Sequence, residues 1–219
     1  MGSGDRARAL PAVSGLLAGP ALVLGTLAGA TAQPDEFSLV EDPPSDLGAL
    51  TADSPWIANQ IGSNLAGLLL LVFAIGLWRS LGGHPSARIG SGLLVAAGVC
   101  IFLTGVFRLD CREMDTGCGN SSWHAQTHFA VAGLTALVLV LAPFVMTRGL
   151  KVATPDWRDL WMPTLGFAIG SVVAGLAGSA VGGGLGSLLL ALVWFTWIAV
   201  LALRMLRLTR GSGGVAQEL

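Results

Sequence analysis

Charge is what this chain has least of. Only 11% of its 219 residues are Asp, Glu, Lys or Arg, against about a quarter in a soluble domain, and Lys151 is its one lysine. So few charges exclude an ordinary water-facing surface. They also leave no basic stripe for a nucleic acid beyond positions that flank a membrane. Reactive side chains are scarce too, with three cysteines and three histidines. No nucleophilic serine motif, phosphate-binding glycine loop or haem-type pair of facing histidines occurs. The strand alternation of an outer-membrane barrel is likewise missing.

What the chain has instead is apolar length. Six stretches, 10–32, 57–78, 89–107, 129–146, 160–181 and 185–203, contain no Asp, Glu, Lys or Arg, and each approaches the roughly 20 residues that cross a bilayer core. Backbone amides in lipid must bond within their own segment, so these runs predict helices. The fold class expected is an all-α integral membrane six-helix bundle forming a single transmembrane domain over 1–219. The first run imitates a secretory signal, with Arg6, Arg8 and an Ala30-Thr31-Ala32 site. Its apolar core is too long for the 7–15 residues of a signal, and it predicts an uncleaved first helix kinked at Pro20.

The distribution of basic residues predicts orientation. One side of the bundle receives Arg6, Arg8, Arg79, Arg88, Arg148, Lys151, Arg158, Arg204, Arg207 and Arg210, and the other only Arg108 and Arg112. By the positive-inside rule both termini are cytoplasmic. Segments 33–56 and 108–128 then share the outer face. The first is acidic, with Asp35, Glu36, Glu41, Asp42, Asp46 and Asp53 and no basic residue. It reads as a loop or short surface helix, either simply solvated or acting as a lid or cation-attracting funnel.

Chemistry-bearing side chains converge only in 105–129, GVFRLDCREMDTGCGNSSWHAQTHF. Cys111 and Cys118 on an oxidising face would form a disulfide. As thiolates they would instead join His124 and His128 in a zinc set, because a His-x3-His spacing puts both rings on one helical face. With the cysteines paired, Asp110, His124 and His128 are the candidate catalytic residues, with or without a metal. Asp46, Glu113 and Asp115 are reserves. The competing structural reading has Asp110 paired with Arg108 or Arg112 and the histidines fixing the loop. No cofactor is evident, although zinc fits the donor types.

Asn59, Gln60, Ser63 and Asn64 open the second span, and amides at that depth either bond between helices or line a polar cavity. Asn59 and Asn64 are therefore candidate substrate-binding residues. Trp194 and Trp197 of the sixth span join them, as residues that pack or border an apolar ligand. Cys100 and Thr104 read as packing residues. Small residues at Gly166, Gly170, Ala174, Gly178 and Gly182, beside a second row at Ser171, Gly175, Ser179 and Gly183, suit close internal packing or a homodimer through the fifth helix. Gly182-Gly183-Gly184 predicts a tight hairpin between the last two spans. Trp157 and Trp161 flank a basic connection expected at the lipid headgroups.

SDLGA at 45–49, SPWIANQ at 54–60, GVFRLDC at 105–111 and SWHAQTH at 122–128, spread over six spans, together resemble the bacterial membrane family catalogued as domain of unknown function 998. The resemblance covers most of the chain. It implies six helices, an Asp after the third and a His opening the fourth, here Asp110 and His124 or His128. It implies no activity. The Cys111/Cys118 pair departs from the simpler family pattern. The setting expected is a bacterial cytoplasmic membrane, with lipids as partners. Two functions follow from these residues: a small enzyme acting on a lipid or isoprenoid-like substrate, or a non-enzymatic lipid-binding, accessory or small-solute transport bundle. A charge or broken helix inside a span would favour transport, and none of the six runs contains one.

Overall fold

A computed structural model describes residues 3–33, 37–81 and 83–215. Asp35 and Glu36 of the acidic segment lie outside them. The described residues contain no strand. Among the described residues seven helices follow in order: α1 Ser3–Thr31, α2 Ile57–Ser80, α3 Pro85–Val106, α4 Trp123–Val152, the single turn α5 Pro155–Arg158, α6 Trp161–Val181 and α7 Gly183–Val215. All but α5 are long and apolar enough to cross a membrane, so this is a multi-pass membrane protein.

The helices overrun the apolar stretches at several ends, because capping rather than hydropathy stops them. The fourth starts at Trp123, six residues before its apolar run, where Ser122 accepts a hydrogen bond from the Ala125 amide as N-cap. His84 Nδ1 does the same for Ser86 at the head of α3. Pro11 and Pro20 both lie inside one continuous α1.

Packing closes the spans into a ring in which α1 meets α2, α2 meets α3, α3 meets α4, α4 meets α6, α6 meets α7 and α7 returns to α1. An even number of crossings brings residues 37–56, the loop 107–122 and the α6–α7 turn to one face, called here the loop face. At the far end the ring is filled. Phe73 and Leu77 of α2, Leu94 of α3, Met146 and Leu150 of α4 and Ile198 and Leu201 of α7 are buried there. Trp157 of α5 belongs to this core, away from the headgroup position its flanking sequence suggests. Trp161 is the one of the pair that meets a cation, with Lys151 Nζ 5.0 Å from its ring centroid. The sixth-span residue Trp197 is also core, its Nε1 donating to Thr164 Oγ1 at 3.2 Å. The outermost helix, α6, turns Ile169, Val172, Val173 and Leu176 outward.

The first two turns of α2, Ile57–Asn64, are wound as a π-helix. This wider backbone is admitted by missing side chains on its neighbours. A Cβ at Gly25 would stand 2.4 Å from Gly62 Cα, and one at Gly105 only 2.5 Å from the Asn59 carbonyl oxygen. Asn64 Nδ2 then donates to the Phe102 carbonyl of α3 at 2.7 Å, and Asn59 Nδ2 to Gly48 O at 2.9 Å. π-turns inside helices occur frequently at functional sites.

Candidate functional site

At the loop face two segments fold over the open end of the ring. Residues 37–56 include a 3-10 turn, Pro44–Gly48, with Asp46, Leu47 and Gly48 buried. The acidic segment is thus partly a packed lid rather than a solvated rim. It is fastened to the second segment, 107–122, at three points. Leu50 N donates to Leu109 O at 2.9 Å, and Glu113 N donates to Asp46 Oδ2 at 2.8 Å. Thr51 Oγ1 donates to Asp115 Oδ2 at 2.5 Å. Ala49, Ala52, Leu109 and Ala125 form a small apolar cluster between the two. The lid also reaches the α6–α7 turn, where Leu185 N donates to Val40 O at 2.9 Å. Gly182 makes that turn at φ +105°, a backbone region that other residues rarely adopt.

Electrostatics within the cap follow from these contacts. Burial pushes the Asp46 carboxyl up to about 6, against the Glu113 amide bond that favours its charged form, and with the charge of Glu113 adding to the rise. Asp115 is held at about 2, first by its bond from the Arg112 side chain and then by Thr51. Arg112 Nη2 lies 2.8 Å from Asp115 Oδ1. Cys111 and Cys118 stand at disulfide distance, with Sγ atoms 2.26 Å and Cα atoms 6.3 Å apart, and Cys100 is buried and free.

The sequence-derived site residues separate in this framework. Asp110 takes no ion pair with Arg108 or Arg112. Its carboxylate accepts from Ser122 Oγ at 2.5 Å and Ser122 N at 2.9 Å, and these bonds, the hydroxyl's first, hold its carboxyl below the usual range. It braces the cap of α4. His124 is exposed and stacks on Trp123 at 3.9 Å and on Phe107 at 5.8 Å between ring centroids, in a cluster suited to a membrane interface. Only His128, one turn deeper and 7% exposed, faces the interior. Among the described residues no three His, Cys, Asp or Glu side chains gather as a metal set; the cysteines, Asp110 and His124 each point to a different neighbour.

Beneath the lid lies a shallow chamber of about 180 Å³, lined among others by Asn59, Ser63, Thr104 and His128. It shares Leu22, Thr26, Pro44, Ser63, Thr104 and Ala132 with a second chamber of about 280 Å³. The second continues past Ala136 and Leu139 to Ala191 and Trp194. Among the described residues no Asp, Glu, Lys or Arg lines either chamber. His128 and Leu139 lie eleven residues apart on α4, so the combined lumen runs about 16 Å along the helix at 1.5 Å per residue. Of the four predicted substrate-binding residues, Asn59 and Trp194 line it. Asn64 and Trp197 do not, being committed to Phe102 and Thr164.

Two lumen residues carry no signal of a site in the sequence, Thr26 and Thr104. A hydroxyl in an apolar helix carries no period that separates lumen from packing. Thr26 shows what such a signal would have to be, since it is buried and yet, unlike Thr135, forms no bond to its own helix.

A ring of six spanning helices capped by two interlocked loops, with an uncharged lumen open beneath them, defines a helical integral membrane protein. The chain belongs to the family of proteins of unknown function DUF998, whose model matches residues 16–204. No curated protein and no solved structure matches it.

Proposed function

We propose that this protein binds an amphiphile, a lipid or isoprenoid-like molecule, with its polar end beside His128 and its chain in the deep chamber. The observation that carries the reading is the gradient along the lumen. Asn59, Ser63, Thr104 and His128 stand at the loop-face end, while Leu139, Leu190, Ala191 and Phe195 surround the other. Small-molecule sites are concave and mostly apolar with a few polar groups that fix orientation. Ten basic residues at the opposite face support placing the loop face outside a bacterial cytoplasmic membrane.

A second reading, an enzyme on the same ligand, is favoured by one feature of His128. Its Nδ1 lies 2.7 Å from Phe107 O and 3.2 Å from Thr104 O. Carbonyls only accept, so Nδ1 carries the proton and a neutral ring presents Nε2 as a lone-pair base.

Native mass spectrometry of purified protein tests binding. Wild type is expected to carry one amphiphile that Ala191→Trp, which fills the deep chamber, does not. Equal occupancy in the two proteins would sink the proposal.

A further inference from the structure

We propose that the amphiphile's polar end is an uncharged diol, as in a monoacylglycerol, and not a phosphate, carboxylate or ammonium. This rests on the amphiphile reading above and adds the headgroup chemistry to it.

The hydrogen bonds left unmade around the shallow chamber carry the argument. His128, Asn59 and Thr26 are each more than nine-tenths buried, and all three line the chamber. His128 spends Nδ1 on two carbonyls, leaving Nε2 with no protein donor. Asn59 spends Nδ2 on Gly48 O, leaving Oδ1 with none. Among the described residues Thr26 Oγ1 has no partner of either kind, and neither acceptor has a donor. None of these atoms is sealed within the packing, since the one buried side-chain polar atom without a partner among the described residues is Trp194 Nε1. Two acceptors and one hydroxyl therefore open onto the same small space.

Buried polar groups in folded proteins are almost always satisfied, so whatever occupies the space must donate to Nε2 and Oδ1. A carboxylate or phosphate would set acceptor against acceptor at Oδ1 and at the neutral ring's Nε2, and among the described lining residues there is no Lys or Arg to offset its charge. An ammonium donates, yet among the described residues no carboxylate lines the chamber to balance it, and an unpaired buried charge is far more costly than a buried hydroxyl. A glycerol headgroup meets both demands, because one hydroxyl can donate to the ring and the other to the amide while one of them accepts from Thr26. The deep chamber, at about 280 Å³, has the volume of roughly nine waters in the liquid and suits one chain.

The test uses purified full-length protein and radiolabelled monopalmitoylglycerol, with unlabelled monopalmitoylglycerol, palmitate and hexadecyltrimethylammonium as competitors of equal chain length. Unlabelled monopalmitoylglycerol should compete at least tenfold better than either ion. Thr26→Val, which keeps the side-chain shape, should weaken the glyceride about tenfold, the loss of one hydrogen bond, without changing competition by palmitate. His128→Phe should weaken it further, with the melting temperature reporting that the variant is folded. Equal competition by palmitate, together with an unaffected Thr26→Val, would overturn the headgroup assignment and leave amphiphile binding standing. No saturable binding above that of Ala191→Trp would overturn both.

Discussion

Replacing Asp46 with asparagine should change how stability depends on pH, not merely how large it is. Asp46 is 2% exposed and its carboxyl is raised to about 6, above the roughly 3.9 of an unfolded chain. The folded state therefore holds this proton more tightly than the unfolded state does. The stability it contributes is fully present below about pH 4 and is lost as pH rises through about 6. Two pKa units correspond to at most about 3 kcal/mol, or about 6–12 °C in melting temperature for a chain of this size. Asp46→Asn keeps an oxygen to accept from the Glu113 amide but cannot ionise. Melting followed by tryptophan fluorescence in detergent, from pH 4.5 to 7.5, should show wild type losing several degrees relative to the variant across that range. All other titrating groups are common to both proteins and cancel in the difference. Parallel curves would refute the claim that a buried, ionisable Asp46 fastens the lid.

Gly105→Ala should destabilise by about 1–3 kcal/mol, because its Cβ would lie 2.5 Å from the Asn59 backbone oxygen, which cannot swing aside; thermal melting checks this, and an unchanged melting temperature would contradict the close approach of α3 to the π-turn. Cys111 and Cys118 should appear as one cross-linked peptide in a non-reducing digest, and Cys111→Ser with Cys118→Ser should cost about 2–3 kcal/mol by the loop-entropy account for so short a loop. Free alkylation of both without reductant would remove the staple.

The six spans were legible because a bilayer demands about 20 apolar residues regardless of neighbours, and the α6–α7 hairpin because three consecutive glycines punctuate it. The lid was not. Asp46 meets Glu113 across 67 positions and Thr51 meets Asp115 across 64, and no local period encodes contacts of that separation. For Asp110 the competing structural reading offers Arg108 or Arg112 as partner, and capping outweighs charge there, since Ser122 twelve residues on supplies both a hydroxyl and an amide. For the histidines the four-residue spacing indicated a common face. Helix α4 begins at Trp123, so His124 remains at its mouth against aromatic rings while His128, one turn deeper, reaches the lumen. Trp194 and Trp197 are three residues apart on α7, and the phase that puts the first on the cavity and the second on Thr164 is set by the ring of helices, not by sequence.

The central claim is that the lumen, rather than the outer surface, holds the amphiphile, and site-resolved photolabelling tests it most directly. A diazirine placed mid-chain in a monoacylglycerol should label peptides containing Ala132–Leu139 and Ser187–Phe195, saturably and with loss on adding unlabelled lipid or introducing Ala191→Trp. Labelling that rises in proportion to probe, resists competition and falls instead on the outward residues Ile169 and Val173 of α6 would contradict it.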